Sequence, residues 1–256
     1  MLSKLFRKSR AVALPRAADG ERVYAIGDVH GRLDCLNDIL DQIATDDDGR
    51  GPARTVLIFL GDYVDRGPDS RAVVERLMAA EASDTPCIFL KGNHEEMLLR
   101  AAKGDRSILS TFDRVGGRET LISYGVSPEL YDESGLADLP ALIEEHVPPE
   151  HLAFLDRGQD HHLSGDYLFV HAGVRPGVEL EQQKPTEMRW IRDEFLRFRQ
   201  DFGHVVVHGH TVTNDIDVHH NRIGIDVGAY ATGRLAAIGL EGADRWFLLS
   251  DADERD

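Results

Sequence analysis

The sequence lacks the features that mark secreted and membrane-spanning proteins. Only two of its 256 residues are cysteines, and we interpret Cys35 and Cys87 as small apolar side chains rather than a disulfide. No apolar run approaches the roughly 20 residues that cross a bilayer. The N-terminal segment MLSKLFRKSR is basic but has no apolar stretch of the kind found in a secretory signal. We therefore expect a cytoplasmic protein with no stable membrane association.

Positive charge is also scarce. The chain has 29 Lys and Arg residues against 45 Asp and Glu residues, which gives a formal net charge of −16. Contacts to nucleic-acid phosphates need clustered Lys and Arg, so the composition argues against a nucleic-acid partner. An anionic substrate would need a local cationic site to overcome the field of the whole protein. Bound divalent cations would supply such a site.

The length and the patterning predict one large domain. We expect a flexible basic tail over residues 1–20, a single domain over 21–250 and an acidic tail over 251–256. Helical periodicity predicts a helical insertion over about residues 107–157, lying over the carboxyl edge of a sheet. Within it, the segment 112–124 either packs as scaffold or contacts substrate. A later helix is predicted over 187–199, and the last two strands, near 235–240 and 246–249, form a hairpin around Gly242.

Five short apolar runs of strand character end beside residue types that bind metals. They are RVYAIGDVHG, TVLIFLGDYVDRG, CIFLKGNHE, YLFVHAG and HVVVHGHT. The first three are each followed by a predicted helix, over 32–44, 70–82 and 95–103, which indicates an α/β fold built from βαβ units. In such folds the functional residues gather outside the carboxyl ends of the strands. We therefore expect the five polar clusters to converge at the edge of one sheet.

The polar clusters supply a candidate metal centre. Asp, His and Asn side chains together suit ions such as Mn²⁺, Fe²⁺ or Zn²⁺, and a central carboxylate, here Asp62, can bridge two ions roughly 3.5–4 Å apart. Each residue alone could be an ordinary turn or core residue, but that interpretation does not explain why every polar strand end carries a ligand type. His208 could support a ligand or contact phosphate. The candidate ligands are Asp28, His30, Asp62, Asn93, His171 and His210.

The motifs resemble the signature of the metallophosphoesterase superfamily. They are GDVHG (27–31), GDYVDRG (61–67), GNHE (92–95), HAG (171–173) and HGH (208–210). The second and third are similar to those of the phosphoprotein phosphatases, and departures elsewhere resemble the bacterial branch of these serine/threonine phosphatases. The resemblance implies a calcineurin-like αββα sandwich that carries a helical insertion and a dinuclear metal centre.

The resemblance also assigns roles to individual residues. Asp28, His30 and Asp62 would hold the first ion, and the second would be held by Asp62, Asn93, His171 and His210. The expected cofactor is a pair of Mn²⁺ ions, with Fe²⁺ or Zn²⁺ as alternatives. His94 would be the general acid, oriented by Asp65. Arg66 and Arg192 would bind the phosphate.

The implied reaction is phosphomonoester hydrolysis by a hydroxide that bridges the two metals, with phosphoserine or phosphothreonine proteins as substrates. The alternatives are a dinucleoside polyphosphate hydrolase and a small-molecule phosphatase of broad specificity. Relatives that act on dinucleoside polyphosphates usually carry GNHD and lack an aspartate at the position of Asp65, so Glu95 and Asp65 favour monoesters. The second motif argues against a cyclic-nucleotide phosphodiesterase. A non-enzymatic binding module would require a damaged ligand set, and no expected ligand is missing.

Metal dependence is the first testable consequence. Removal of metals by a chelator should abolish phosphoesterase activity, and Mn²⁺ should restore it better than Ca²⁺. The reason is that Ca²⁺ prefers six to eight oxygen ligands, whereas the candidate set contains histidines. Activity and metal content would be measured together. Full turnover by protein shown to be metal-free would rule out the metal-dependent mechanism.

Overall fold

The computed structural model describes residues 14–250, so the predicted acidic tail over 251–256 and the first 13 residues of the predicted basic tail lie outside the described residues. The remaining residues of that basic tail, 14–20, include exposed and buried positions. Ala17 is buried, and its amide donates a hydrogen bond to the carbonyl of Gly242 at 2.9 Å. The amide of Arg16 donates to the carboxylate of Asp166 at 2.8 Å. Residues 16 and 17 of the predicted tail thus contact the folded body, and the boundary at residue 20 stays a prediction.

Within residues 14–250, ten strands form two five-stranded sheets. The first sheet has the order β10-β9-β1-β2-β3, in which β1, β2 and β3 are parallel and the hairpin of β9 and β10 pairs antiparallel to β1. The hairpin around Gly242 is confirmed. The strands are β1 (Glu21–Ile26), β2 (Arg54–Phe59), β3 (Cys87–Phe89), β9 (Ala236–Glu241) and β10 (Asp244–Leu249).

The second sheet has the order β4-β5-β6-β8-β7, with β5, β6 and β8 parallel. The expectation that the five polar clusters meet on one sheet is wrong: three follow strands of the first sheet and two follow strands of the second. A parallel strand buried on both faces has the same apolar sequence in either sheet, so its own residues do not reveal its partners. The strands are β4 (His161–Ser164), β5 (Tyr167–Val170), β6 (Val205–His208), β7 (Asp217–Val218) and β8 (Arg222–Gly224).

Side-chain alternation along the strands separates the apolar residues into layers. In β1, Val23 and Ala25 point into the cluster between the sheets, whereas Tyr24 and Ile26 point to a cluster on the outer face. In β5, Phe169 faces the cluster between the sheets, and its neighbours in sequence face a third cluster beneath the later helices. Three apolar clusters thus separate four layers, and the predicted αββα sandwich is confirmed.

Helices follow the first three strands as predicted: α1 (Leu33–Gly49), α2 (Ser70–Glu81) and α3 (Asn93–Ala102). The helix α3 begins at Asn93, two residues earlier than predicted, which puts Asn93 and His94 in its first turn. The region of the predicted insertion is helical and packs with α2 and α3 in the outer cluster of the first sheet. Its helices are α4 (Arg106–Phe112), α5 (Arg118–Ser123), α6 (Pro128–Glu133), α7 (Leu139–His146) and α8 (Pro149–Asp156).

The single helix predicted over 187–199 is wrong. The structure has α9 (Pro185–Trp190) and α10 (Asp193–Leu196), separated by an extended Ile191 and by Arg192 with φ of −133° and ψ of −96°. This break points Arg192 toward the polar edge of the second sheet. A short helix, α11 (Ala229–Thr232), precedes β9. Between residues 14 and 250, no helix has both the length and the apolar character needed to span a bilayer.

Candidate metal centre

The loops at the polar edge hold an unusual concentration of backbone strain. Within residues 14–250, five residues other than glycine have a positive φ: His30, Asp62, Asp65, Arg66 and His210. All five are predicted site residues. Such conformations cost on the order of 1–3 kcal/mol each and persist only where the surrounding structure enforces them. The strain therefore coincides with the positions at which side chains must converge.

Backbone hydrogen bonds join the loops that follow β1 and β2. The carbonyl of Asp62 accepts from the amides of Val29 at 3.1 Å and His30 at 2.8 Å, and the carbonyl of Tyr63 accepts from Gly31 at 2.9 Å. These bonds fix both loops in register. They hold His30 and Asp62 in their left-handed conformations with their side chains close together.

Glu95 ties the loop after β3 to the same point. Its buried carboxylate accepts from the amides of Asp62 at 2.8 Å, Tyr63 at 2.8 Å and Gly92 at 2.9 Å. Burial and repulsion from Asp62 raise the pKa of Glu95. The sequence analysis used Glu95 only to discriminate substrates and missed this positioning role, although its place in GNHE was the signal.

The carboxylate of Asp62 lies at the middle of two clusters of ligand atoms, His30–Asp62–His94 and Asp62–His171–His210. Within each cluster the ligand atoms lie within 4.8 Å of one another, and all five residues are buried. The Asp62 Oδ2 atom lies 3.6 Å from His30 Nε2, and Oδ1 lies 3.4 Å from His171 Nε2. Burial alone would raise the pKa of Asp62, but attraction to His171 and His94 outweighs it and holds the pKa well below its usual value.

The histidine rings are oriented by backbone carbonyls. The Nδ1 atom of His30 lies 2.8 Å from the carbonyl of Val64, and that of His171 lies 2.9 Å from the carbonyl of Leu60. Because a carbonyl oxygen only accepts, each Nδ1 donates, and the Nε2 atoms face the centre of the site. The Nε2 atom of His171 also lies 2.9 Å from the side-chain oxygen of Asn93, which brings this predicted ligand into the second cluster.

Three of the buried histidine rings differ in charge preference. Burial and the neighbouring His94 lower the pKa of His30 to about 3. Burial would lower the pKa of His171 as well, but attraction to Asp62 outweighs it and raises the pKa to about 10. Burial and repulsion from His171 lower the pKa of His210 to about 2.

Asp28 adjoins the two clusters without belonging to either. Its Oδ2 atom accepts from the amide of His210 at 2.9 Å, and its buried Oδ1 atom has no hydrogen-bond partner among residues 14–250. Burial and repulsion from Asp226 and Asp62 raise its pKa well above the usual value. A cation among these carboxylates would offset the repulsion and give the unpaired oxygen a partner. The residues therefore fit divalent ions, and Asp226, which the sequence analysis missed, contributes to the negative field.

A second group of buried side chains surrounds His94. Its Nδ1 atom lies 2.6 Å from Asp65 Oδ2. Burial would lower the pKa of His94, but Asp62 and Asp65 outweigh it and raise the pKa. Thr120 donates to the other carboxylate oxygen of Asp65 at 2.6 Å and accepts from the Asp65 amide at 2.8 Å. The segment 112–124 thus supports Asp65 through Thr120, a residue that the sequence analysis did not single out.

The two predicted phosphate-binding arginines lie on different sides of the clusters. Arg192 is exposed, and its Nε donates to His210 Nε2 at 3.0 Å. Arg66 lies over the ring of Tyr230, with 4.5 Å from the guanidinium carbon to the ring centroid. The Tyr230 ring also meets His30 edge to face at 5.5 Å and is 37% exposed. The sequence analysis gave Tyr230 no role, because nothing near IDVGAY indicates a contact with residues so distant in the chain.

His208 lies apart from this group. Its Nδ1 atom bonds the carbonyl of Gly209 at 3.0 Å, and its ring packs edge to face on Phe195 at 4.9 Å. Burial lowers its pKa to about 4. These contacts favour a packing role beneath the second sheet over the phosphate contact considered from sequence.

Comparison with known proteins identifies the family. The model of the calcineurin-like phosphoesterases matches residues 21–233. The chain belongs to the calcineurin-like phosphoesterase family. Members of this metallophosphoesterase family use a dinuclear divalent metal centre, and the two ligand clusters around Asp62 provide candidate ligands for it.

Two relatives of this phosphoesterase are named as bis(5'-nucleosyl)-tetraphosphatases. A symmetrical bis(5'-nucleosyl)-tetraphosphatase from Acidovorax sp. (strain JS42) is 36% identical over 162 residues, which cover 62% of this chain and 47% of the relative. The asymmetrical bis(5'-nucleosyl)-tetraphosphatase PrpE from Halalkalibacterium halodurans is 27% identical over 238 residues, which cover 83% of this chain and 87% of the relative. The chain thus spans about half the length of the symmetrical relatives.

Solved structures support the fold. A structure provisionally described as a diadenosine tetraphosphatase superposes with a TM-score of 0.60 at 20% identity and covers 93% of this chain and 99% of its own. A cold-active protein tyrosine phosphatase superposes with a TM-score of 0.56 at 19% identity and covers 91% of this chain and 81% of its own. At these identities the likeness shows the calcineurin-like fold alone.

The contact between Gly116 and Arg66 generates a prediction. Gly116 has a φ of 117°, and a Cβ added there would overlap the amide nitrogen of Arg66 and lie 2.9 Å from its Cα. Gly116→Ala should therefore lower the free energy of unfolding by backbone strain, about 1–2 kcal/mol, and by overlap, about 1–3 kcal/mol more. Urea denaturation measures the sum.

Gly125→Ala is the matched control. Gly125 lies in the same helical region with a φ of 99°, and a Cβ there would meet nothing within 4 Å. Gly125→Ala should therefore lower the free energy of unfolding by the backbone strain alone, without the contribution from overlap. Equal losses of stability in the two variants would contradict the close approach of the segment 112–124 to the Arg66 loop.

Proposed function

We propose that this phosphoesterase hydrolyses dinucleoside polyphosphates, with diadenosine tetraphosphate as the representative substrate. One observation carries the substrate class: relatives of two kinds, named as symmetrical and asymmetrical tetraphosphatases, share it, and one of them matches over most of both chains. This reverses the preference for monoesters derived from Glu95 and Asp65. The contacts of Glu95 supply the reason, because its buried carboxylate is occupied by hydrogen bonds from three backbone amides.

In this proposal the metal ligands are those predicted from the sequence, and Mn²⁺ is the expected ion. Asp28, His30, Asp62, Asn93, His171 and His210 would hold two divalent ions, which polarise a phosphoryl oxygen and activate water when bound. The protein's contribution is to fix these side chains before substrate arrives. Glu95 and the carbonyls of Leu60 and Val64 do so by direct hydrogen bonds.

The arginines bind the phosphate chain. The planar guanidinium of each offers paired donors that match phosphate oxygens. Arg192 extends from the side of His210 and Arg66 from the side of His30 and Tyr230. A chain of several phosphates carries several anionic groups. Two arginines on different sides of the centre can each bind one of these groups, whereas a single arginine would leave the others unpaired.

His94 donates a proton to the departing oxygen in this proposal. The 2.6 Å contact to Asp65 fixes the ring and favours its protonated form, and Thr120 fixes Asp65. The same contact favours a second candidate function, hydrolysis of phosphoserine or phosphothreonine in proteins. A serine alkoxide is a poor leaving group that needs a proton, whereas a nucleotide phosphate leaves more readily without one.

A substrate panel tests the proposed function. The metal-reconstituted protein would be assayed with diadenosine tetraphosphate, a phosphoserine peptide, a small aryl phosphate and a cyclic nucleotide. We expect the highest kcat/KM with the dinucleotide, and chromatography of the products would show whether ADP alone or AMP and ATP are released. A higher kcat/KM with the phosphopeptide would overturn the proposal in favour of the second candidate.

The role of His94 is tested separately. His94→Asn should keep both metals, because the proposed role is proton donation and not ligation. It should lower kcat for a phosphoserine peptide by roughly 10²–10⁴, the usual range for general acid catalysis, and lower it distinctly less for an activated aryl phosphate. Metal content and both rates would be measured. Loss of a metal, or equal slowing of both substrates, would instead indicate a ligand.

A further inference from the structure

An open cavity adjoins the metal centre on the side of the second sheet. Its volume is about 450 Å³, within the range of pockets that hold small organic ligands. The exposed indole of Trp190 and the side chain of Ile191 form its apolar part, and Arg175, Glu187, Arg192 and Glu194 form its polar part. It lies at the break between α9 and α10. None of the roles proposed above uses it.

Arg192 connects this cavity to the metal centre. It lines the cavity, and its Nε atom also donates to His210 at 3.0 Å. Both contacts are possible because the chain turns out of the helix at Ile191 and Arg192. If Arg192 binds a phosphate of the substrate, the group attached to that phosphate would therefore lie at the mouth of the cavity.

The charges of the rim select the kind of group. Arg175 pairs with Glu187 at 2.9 Å and with Glu194 at 3.0 Å. Asp193, the third carboxylate that lines the cavity, pairs with Arg197 at 2.9 Å. Each rim carboxylate thus has a cationic partner, and its remaining lone pairs can accept hydrogen bonds from an uncharged ligand with N–H groups.

The indole is held in place for stacking. Trp190 Nε1 donates to Glu96 at 3.3 Å, and 37% of the residue is exposed. Bases stack readily on exposed aromatic side chains of this kind. A flat ring with apolar faces and amino groups at its edge matches both the indole and the acidic rim.

We propose that this cavity binds a nucleobase of the substrate. The base stacks on Trp190, its exocyclic amino group donates to the rim carboxylates, and the phosphate beside it is held by Arg192. This assignment rests on the proposed hydrolysis of dinucleoside polyphosphates and names where one end of that substrate binds. The cavity would distinguish nucleotides from phosphorylated groups that lack a base.

Kinetics with diadenosine tetraphosphate form the first arm of the test. Trp190→Leu should raise KM by about 5- to 150-fold, the range for loss of one stacking side chain, with a smaller change in kcat. Trp190→Phe should retain much of the affinity because it keeps a ring. Phe247→Leu is the control, since Phe247 lies on β10 and is also 37% exposed; its KM should equal that of the unaltered protein.

Binding without turnover forms the second arm. The chain has only two tryptophans, Trp190 and Trp246, so stacking on one of them should quench a measurable share of the fluorescence. Titration with AMP should quench the unaltered protein but not Trp190→Leu, and ribose 5-phosphate, which has the phosphate without the base, should quench neither.

The two arms separate failure of the cavity from failure of the proposed function. Hydrolysis of the dinucleotide with an unchanged KM in Trp190→Leu and no quenching by AMP would overturn the nucleobase site and leave the function standing. Quenching by AMP that depends on Trp190, without hydrolysis of the dinucleotide, would support the site and overturn the function. Quenching by a phosphoserine peptide and not by AMP would assign the cavity to a peptide and overturn the proposal.

Discussion

The arrangement of the site depends on one buried negative charge, the carboxylate of Asp62. Histidines that follow four other strands surround it, and attraction to His171 and His94 keeps it ionised despite its burial. The backbone at Asp62 adopts a left-handed conformation that places the side chain there. Glu95 and the neighbouring loop enforce that conformation by hydrogen bonds. Two carboxylates therefore support the strained loops. That of Asp62 faces the candidate ligands, and that of Glu95 faces the backbone amides.

The break between α9 and α10 shows how the fold links catalysis and recognition. In a continuous helix, Arg192 would share a face with Met188 and Phe195, which are buried in the third apolar cluster. The break brings the guanidinium to the metal centre and opens a cavity beside it. In our proposal, one local departure from helical geometry thus serves both phosphate binding and recognition of the base.

Residues that lie within short sequence motifs were predictable from the sequence. The strand runs, the glycine turns and the ligand types occur together within a few positions, so the sandwich and the convergence of His30, Asp62, His94, His171 and His210 followed from motifs. The helix break did not, because no glycine or proline occurs between residues 187 and 199 and a tertiary hydrogen bond overrides helix propensity there. Thr120 and Tyr230 were also missed, since their partners lie far away in sequence. The division of the strands between two sheets is likewise a property of long-range pairing.

The two sheets bring together candidate ligands from distant parts of the chain. Asp28 follows the first strand and His210 follows β6, so ions held by both would close a loop that contains most of the fold. A cross-link of that kind stabilises a protein by restricting the unfolded chain, and the effect increases with the length of the loop. Ions that bind only the folded protein add stability that depends on their free concentration. The free energy of unfolding of this sandwich should therefore increase with the free concentration of the metal ions.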